Sequence, residues 1–415
     1  MKKKEIVIVV LLIVFGFVYN AIRKGTIKFI DDFPEFLSEG LLISEQYKAF
    51  PQKEMVFPAP HKIILDNPAG EIVVDKSMDG QVHLQASFRV YYLDREDVEK
   101  ISRHARIHVE NENGELNVSV DYVSAFPYKR LRTYFHVMIP EAVMLSVRNQ
   151  LGNTIVRQCG TDLFLKQKNG NLFLKDIPSS VRIEIRRGNM DLKNITGSVD
   201  IEASQGDILL ENAASLHVKG RHGNYRLKKI KSGVTIEHAY GDIILDGAGQ
   251  AEIFGRHSKV VVRNIENGLN LSNAFQTVFI ENIKGRVYLT SRSSKMDVRH
   301  VQAKSMVIEN SFADIAITDC AGETLNVLLK NGNLDFIGEK IADRINIESQ
   351  QANLNLFLGG LTDPTFNIKT IHGRIYNHSS IALDIFQEKD ENFANRSGQK
   401  PEIIINNNYG DIYLK

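Results

Sequence analysis

The chain of 415 residues contains no tryptophan, two cysteines and ten prolines. Each scarcity excludes something. Two cysteines cannot build a disulfide framework, and alone they cannot complete a four-ligand zinc site. The prolines are unevenly placed. Pro34, Pro51, Pro58 and Pro60 fall within residues 23–60, whereas Pro178 is the one proline between residues 141 and 363. A long proline-free stretch suits a hydrogen-bonded sheet, because proline cannot donate to a ladder. Net charge is scarce as well. Lysine plus arginine total 51 and aspartate plus glutamate 50, so there is no global bias toward nucleic acid or acidic partners. Phosphate-binding loops, metalloprotease helix motifs and nucleophile elbows are all missing, so neither an enzyme nor a cofactor is expected.

Apolar residues are not scarce. They make up 43% of the chain, alongside 29 glycines, the composition of an ordered, core-forming protein. The one long apolar run is "IVIVVLLIVFGFVY", residues 6–19, which Asn20-Ala21-Ile22 extends. As a helix, residues 6–22 span about 25 Å, against a hydrocarbon core of about 30 Å. That length fits a short membrane anchor or the apolar region of an export signal. Bulky Tyr19 at the −3 position of the best cleavage site, after Ala21, favours the anchor. Lys2, Lys3 and Lys4 outweigh Arg23, Lys24 and Lys28 once the terminal amine is added. The expectation is a single-pass protein of the cell membrane with its bulk extracytoplasmic.

Residues 23–60 read as a stalk or linker. Residues 61–148 read as a β-rich cap with a short helix over 94–106, capped by Asp94, and a hairpin turning at Asn113-Gly114. From residue 149 a repeat takes over. Anchored on glycine, it runs Gly152, Gly170, Gly188, Gly206, Gly223, Gly241, with spacings of 18, 18, 18, 17 and 18. The phase continues at Ser258, Gln276, Ser294, Ala313, Gly332, Ala352 and Gly373, with later spacings stretched to 19, 20 and 21. A fixed period of this size marks a solenoid.

The columns support that assignment. Positions two and four after the anchor are apolar in every coil from Leu172/Leu174 to Leu334/Phe336, with mixed residues between. That is period-2 alternation, one face in and one face out. A further apolar column stands seven after the anchor, from Cys159 through Ile177 and Ile195 to Cys320. A second strand follows, with pairs such as Val199/Ile201 and Leu216/Val218. About five inward side chains per coil can be buried only by stacking on neighbouring coils. Cys159 and Cys320 then share one column nine coils apart, on the order of 43 Å at about 4.8 Å per coil, too far for a disulfide. The fold class is all-β: one elongated β-solenoid of coils of about 18 residues, after a small α+β cap and an N-terminal membrane helix. Residues 387–401 are polar and expected as an exposed loop. The closing "NNNYGDIYLK" (406–415) reads as the first strand of an uncompleted coil, with an exposed edge that residues 387–401 and Lys415 are candidates to guard; left unguarded, it is where a partner or second copy would dock.

Three surface features bear on function. The first is the glycine-acid phrase, as in "SQGDILLE" and "AYGDIILD". A calcium loop would need aspartate at fixed places, but the position after the anchor is Asn171, Asn189, Asp207, Asn224, Asp242 and then Lys259. Lysine would expel a cation, so the phrase reads as turn chemistry and no metal is expected. The second is a ridge one residue before the anchor, His222, Tyr240, His257 and Phe275, which suits a glycan or protein surface or packs adjacent turns. The third is a basic coil, Lys219, Arg221, Arg226, Lys228, Lys229 and Lys231, with no acid between Glu211 and Glu237. It suits an anionic glycan or lipid surface, unless acids across the coil balance it. Nucleic acid is not expected.

The strand "VMIPEAVMLSVRNQLGN" leading into repeated glycine-Asn/Asp-apolar coils, with the earlier "LDNPAGEIVV", resembles the bacterial toastrack, or adhesin-like, domains over residues 62–415. The resemblance implies a cell-envelope location and a non-enzymatic binding or adhesion role, with no catalytic residues to carry over. Some members of the family accompany envelope-stress signalling components, which makes a membrane protein the alternative partner. An enzyme acting on envelope glycans is the third reading. The chain departs from the pattern in losing the glycine at Ser258, Gln276, Ser294 and Ala313 and in carrying residues 387–401.

Overall fold

The computed structural model describes residues 46–92, 98, 105–121, 131–158, 160–338 and 340–415. The proposed membrane segment 6–22, most of the expected helix 94–106, and Cys159 lie outside the described residues. Thirty strands lie within them, joined into one sheet, and Val98, inside the expected helix, is helical. Among the described residues no helix is long and apolar enough to cross a membrane.

Each coil has two arms. The coil Ile208–Arg221 is representative: Ile208, Leu210 and Ala213 point inward along the first arm, Leu216 and Val218 along the second, and all five are buried. The first-arm column is in strict parallel register, Met190 on Ile208 on Tyr225 on Ile243. It continues through Val260, Val278, Met296, Ile315 and Leu334 to Leu354. The second arms stack likewise, Val199 on Leu216 on Val234 on Ala251. The inward side chains of both arms fuse into one core that runs from Ile63 to Leu414. Cys320 is buried and free in this core, as its column predicts, and burial pushes its thiol up to about 11.

Two corners per coil carry the backbone strain. At the first, the anchor glycines adopt positive φ, +145° at Gly188 and +138° at Gly206. The reason is close approach. A Cβ on Gly206 would lie 1.9 Å from the carbonyl oxygen of Gly188, and one on Gly188 would lie 1.8 Å from that of Gly170. The second corner falls six residues after the anchor and uses left-handed non-glycine residues: Asp176, Asn194, Asn212, Lys229, Asn264 and Asn282 all have φ between 55° and 66°. Asn and Asp tolerate that region best.

The ends depart from the sequence expectation. The stalk expected through residue 60 gives way at Gln46, where the strand Gln46–Pro58 pairs antiparallel with Gln81–Tyr92. The register of this pair shifts between Phe50 and Lys53, a bulge. The strand Lys62–Asn67 lies between Glu115–Asp121 and Met144–Leu151, and Gly70–Lys76 lies between Leu131–Ile139 and Thr154–Arg157. The first repeat-like unit therefore stacks directly under the solenoid.

At the other end, chain order and spatial order diverge. Gln399–Asn408 and Ile412–Leu414 insert between the coil of Lys340–Phe357 and the strands Pro364–Ile371 and Ile375–Asn377. The anchor column therefore runs Ala352, Gly410, Gly373: a Cβ on Gly410 meets the Ala352 carbonyl and one on Gly373 meets that of Gly410, each at 1.9 Å. The closing phrase is not an exposed edge but an interior layer, so no edge is left there to guard or to dock on. Residues 387–401 are likewise not an irregular loop. Asp384–Glu388 and Glu391–Arg396 form a hairpin whose second strand covers Pro364–Ile371 antiparallel. Antiparallel cover ends the parallel stack, which would otherwise present an open edge.

Candidate binding face

The position after the anchor has a structural task. The side-chain oxygen of each Asn or Asp accepts from the backbone N–H of its counterpart in the next coil: Asn171 to Asn189 at 3.0 Å, Asn189 to Asp207 at 3.0 Å, Asp207 to Asn224 at 2.8 Å and Asn224 to Asp242 at 3.1 Å. The final phrase joins the same ladder, with Asn353 accepting from Asp411 and Asp411 from Arg374. These oxygens are directed along the stack rather than toward a shared point, and no cluster of three potential metal ligands occurs among the described residues. Asp207 accepts from both the backbone N–H and the side-chain amide of Asn224.

A second polar column, three residues before the anchor, escapes the apolar pattern. Buried amides there bridge corner carbonyls of successive coils. Gln167 donates to Gly152 and Asn171, Asn310 to Ser294 and Ala313, and Asn407 to Ala352 and Gly410. These bonds satisfy carbonyls that the sharp corner turns away from the ladders. His238 occupies this column and is buried against the ring of Tyr225, 4.1 Å between centroids. Burial pushes its imidazole below the ordinary histidine pKa, opposed by the facing carbonyls of Gly220 and Gly223. Tyr225 fits because Gly220 leaves room: a Cβ there would sit 2.1 Å from the Tyr225 hydroxyl. In the sequence the column shows only as intermittent polar residues at one phase, Gln167, His238, Asn273 and Asn310, among small or apolar ones such as Ile185, Gly220 and Leu329.

His222, Tyr240, His257 and Phe275 do come together. They stack coil on coil, with centroids 5.1, 5.1 and 4.8 Å apart and interplanar angles of 11°, 6° and 13°. All four have positive φ, from 53° to 70°, so the corner turns their rings outward. Ring faces lie against one another and ring edges meet solvent. The faces that would stack on a sugar are therefore engaged inside the ladder, except at its two ends.

The six basic residues do not form one patch. Lys219 and Arg221 project from the second arm, Arg226 and Lys228 from the first, Lys229 sits at the second corner, and Lys231 follows it. Two are matched by acids in adjacent coils, Lys219 with Glu237 at 3.5 Å and Lys229 with Glu211 at 2.8 Å. That hydrogen bond lowers the Glu211 carboxyl and raises the Lys229 amine. Lys219 and Arg221, with Lys166, Glu184, Glu237 and Arg256, line an open groove of about 1390 Å³ along the second arms. The groove ends against the aromatic ladder at Tyr240.

Ser77, Asp79 and His83 also meet, but not as a nucleophile site. Ser77 donates to Asp79 Oδ1 at 2.8 Å and His83 contacts the other carboxylate oxygen at 2.8 Å, so serine and histidine each engage the carboxylate. The backbone N–H of Gln81 and both side chains hold the Asp79 carboxyl down to about 2, a turn-stabilising arrangement.

Stacked parallel coils with continuous outward rows define a β-solenoid repeat protein. Residues 214–415 match the family model of the Toastrack DUF4097 domain, so the resemblance drawn from the coil phrase holds for the C-terminal half of the chain. No curated protein matches the chain. Among solved structures it is similar to a "putative cell adhesion protein" from Clostridium sporogenes, 9% identical, with 88% of this chain and 99% of that one covered at a TM-score of 0.18. It is also similar to a "putative adhesin" from Bacteroides fragilis, 11% identical, covering 89% and 97% at 0.19. A third, a "putative adhesin" from Parabacteroides distasonis, is 8% identical and covers 90% and 98% at 0.19.

Proposed function

We propose that the protein is a non-enzymatic, adhesin-like binding scaffold of the cell envelope, held at the membrane by residues 6–22 with the solenoid outside the cytoplasm. The supporting observation is the surface itself. The outward positions of the coils form unbroken rows in register, bordering an open groove, which suits an extended partner better than a small substrate. The resemblance to toastrack domains agrees with it.

Location is tested with one cysteine. Met78 is 93% exposed, and Cys320 is buried. In intact cells, a Met78→Cys variant in a Cys159→Ser background is expected to react with a membrane-impermeant maleimide. Labelling only after lysis would overturn the extracytoplasmic placement. Crosslinking in the same cells addresses the partner: a captured polysaccharide supports the scaffold, whereas a captured membrane protein supports the envelope-stress alternative.

A further inference from the structure

We propose that the second-arm face binds a linear acidic polysaccharide, read by one row of basic side chains spaced two coils apart. The row holds one residue per coil, immediately before the aromatic ladder. Arg186, Arg221, Arg256, Arg292 and Lys330 occupy every second coil, and all five are exposed. The intervening coils place Ser204, Ala239, Ala274 and Ser311 in the same row. Lys168 extends it toward the N-terminus, and no acid enters the row between Gln150 and Gln350.

Charge on this row is left unneutralised. Among the described residues none of these basic groups has a carboxylate within ion-pair distance. The parallel row two residues earlier pairs internally, Lys166 with Glu184 at 2.6 Å and Lys219 with Glu237 at 3.5 Å. The same face therefore carries one self-compensated row and one open cationic row. Nothing in the fold requires arginine here, because Ser204 and Ala239 fill the same backbone register.

Geometry selects the ligand. At about 4.8 Å per coil, successive cationic groups stand about 9.6 Å apart. The rise of one disaccharide in an extended polysaccharide is of that order, so a polymer with one carboxylate per disaccharide presents its charges in step with the row. Its uncharged sugar would lie over the small residues. Guanidinium forks suit carboxylates bidentately. Duplex DNA carries a charge every ~1.7 Å of axis, which a single row at this spacing meets poorly. Single-stranded nucleic acid needs free aromatic faces, and the ladder uses its own. An anionic bilayer needs a broad basic surface, and the neighbouring row carries Glu184, Glu202 and Glu237.

This inference deepens the scaffold reading and rests on it for biological setting only, since binding by the purified protein does not depend on location. The full chain in detergent is titrated with hyaluronate, which has one carboxylate per disaccharide, and with uncharged dextran, duplex DNA and phosphatidylglycerol vesicles. Hyaluronate is expected to bind, to weaken with added salt, and to lose at least about tenfold affinity in Arg221→Gln/Arg256→Gln. Arg226→Gln/Lys228→Gln, on the first arm, is expected to bind normally. The same thermal unfolding profile in both double variants excludes misfolding, and the single Arg292→Gln substitution serves if the double variant unfolds. Absence of hyaluronate binding at low salt, equal loss in the first-arm variant, or tighter binding of DNA or vesicles would each overturn the proposal. Binding by a protein that the maleimide test places in the cytoplasm would overturn the location and leave this site standing.

Discussion

A carbonyl oxygen stands where a Cβ on Gly206 would go, and its φ of +138° is itself unfavourable for any L side chain. Gly206→Ala therefore has two costs, and an expected loss above about 2 kcal/mol in a denaturant titration. Gly233 is the control: nothing lies within 4 Å of its Cβ position, so Gly233→Ala is expected to stay within about 0.5 kcal/mol. His238 makes a pH-dependent contribution. Its folded pKa is depressed by burial below the ordinary histidine value of about 6.5. The unfolded chain therefore takes up a proton first as pH falls. Stability from the neutral, buried ring is present above about pH 6.5 and is lost as pH drops through the lower folded value. His238→Asn, which places there the residue found at Asn273 two coils on, is expected to flatten that part of the stability-pH profile. Unchanged slope between pH 7.5 and 5 in the variant would refute the assignment.

Single strands matter through their neighbours. Ile412 is fully buried and lies in register between Leu354 and Ile375, so Ile412→Asp introduces an uncompensated charge into an interior layer. The expected cost exceeds about 3 kcal/mol, with early proteolysis near the C-terminus. An open final edge, as the bare repeat suggests, would tolerate the same change with little effect. The aromatic corner shows the same dependence on context. Stacking across four coils offsets the left-handed backbone that each ring residue adopts, so the ridge is read first as an element of the stack.

For the whole molecule, stability is expected to follow nearest-neighbour coupling along the stack. Central coils such as Ile208–Arg221 and Tyr225–Ala239 have a parallel partner on both sides, whereas Asp384–Glu388 pairs on one side only and is exposed throughout. Hydrogen exchange is expected to be slowest in the central coils and fastest in the strand Asp384–Glu388, rising toward that end. Uniform protection along the chain would show one cooperative unit instead. Length also matters for binding: a row of cationic groups two coils apart exists only because many coils hold one register.

The coil was legible in the amino-acid sequence by itself. Period, inward columns and the turn-forming anchor are all local rules, repeated until coincidence is excluded, and the register of Leu172 on Met190 on Ile208 follows them directly. The burial of Cys320 followed from its column in the same way. What tertiary structure alone decided was order in space. Nothing local tells Ile412–Leu414 to enter between two earlier strands rather than stack last, since its inward pattern fits either layer equally. Nor does composition reveal that six neighbouring basic residues point to different faces while five distant ones align. Period-2 alternation and the two corners assign each side chain its direction, and stacking turns a separation of 35 residues, Arg221 to Arg256, into adjacency on one surface.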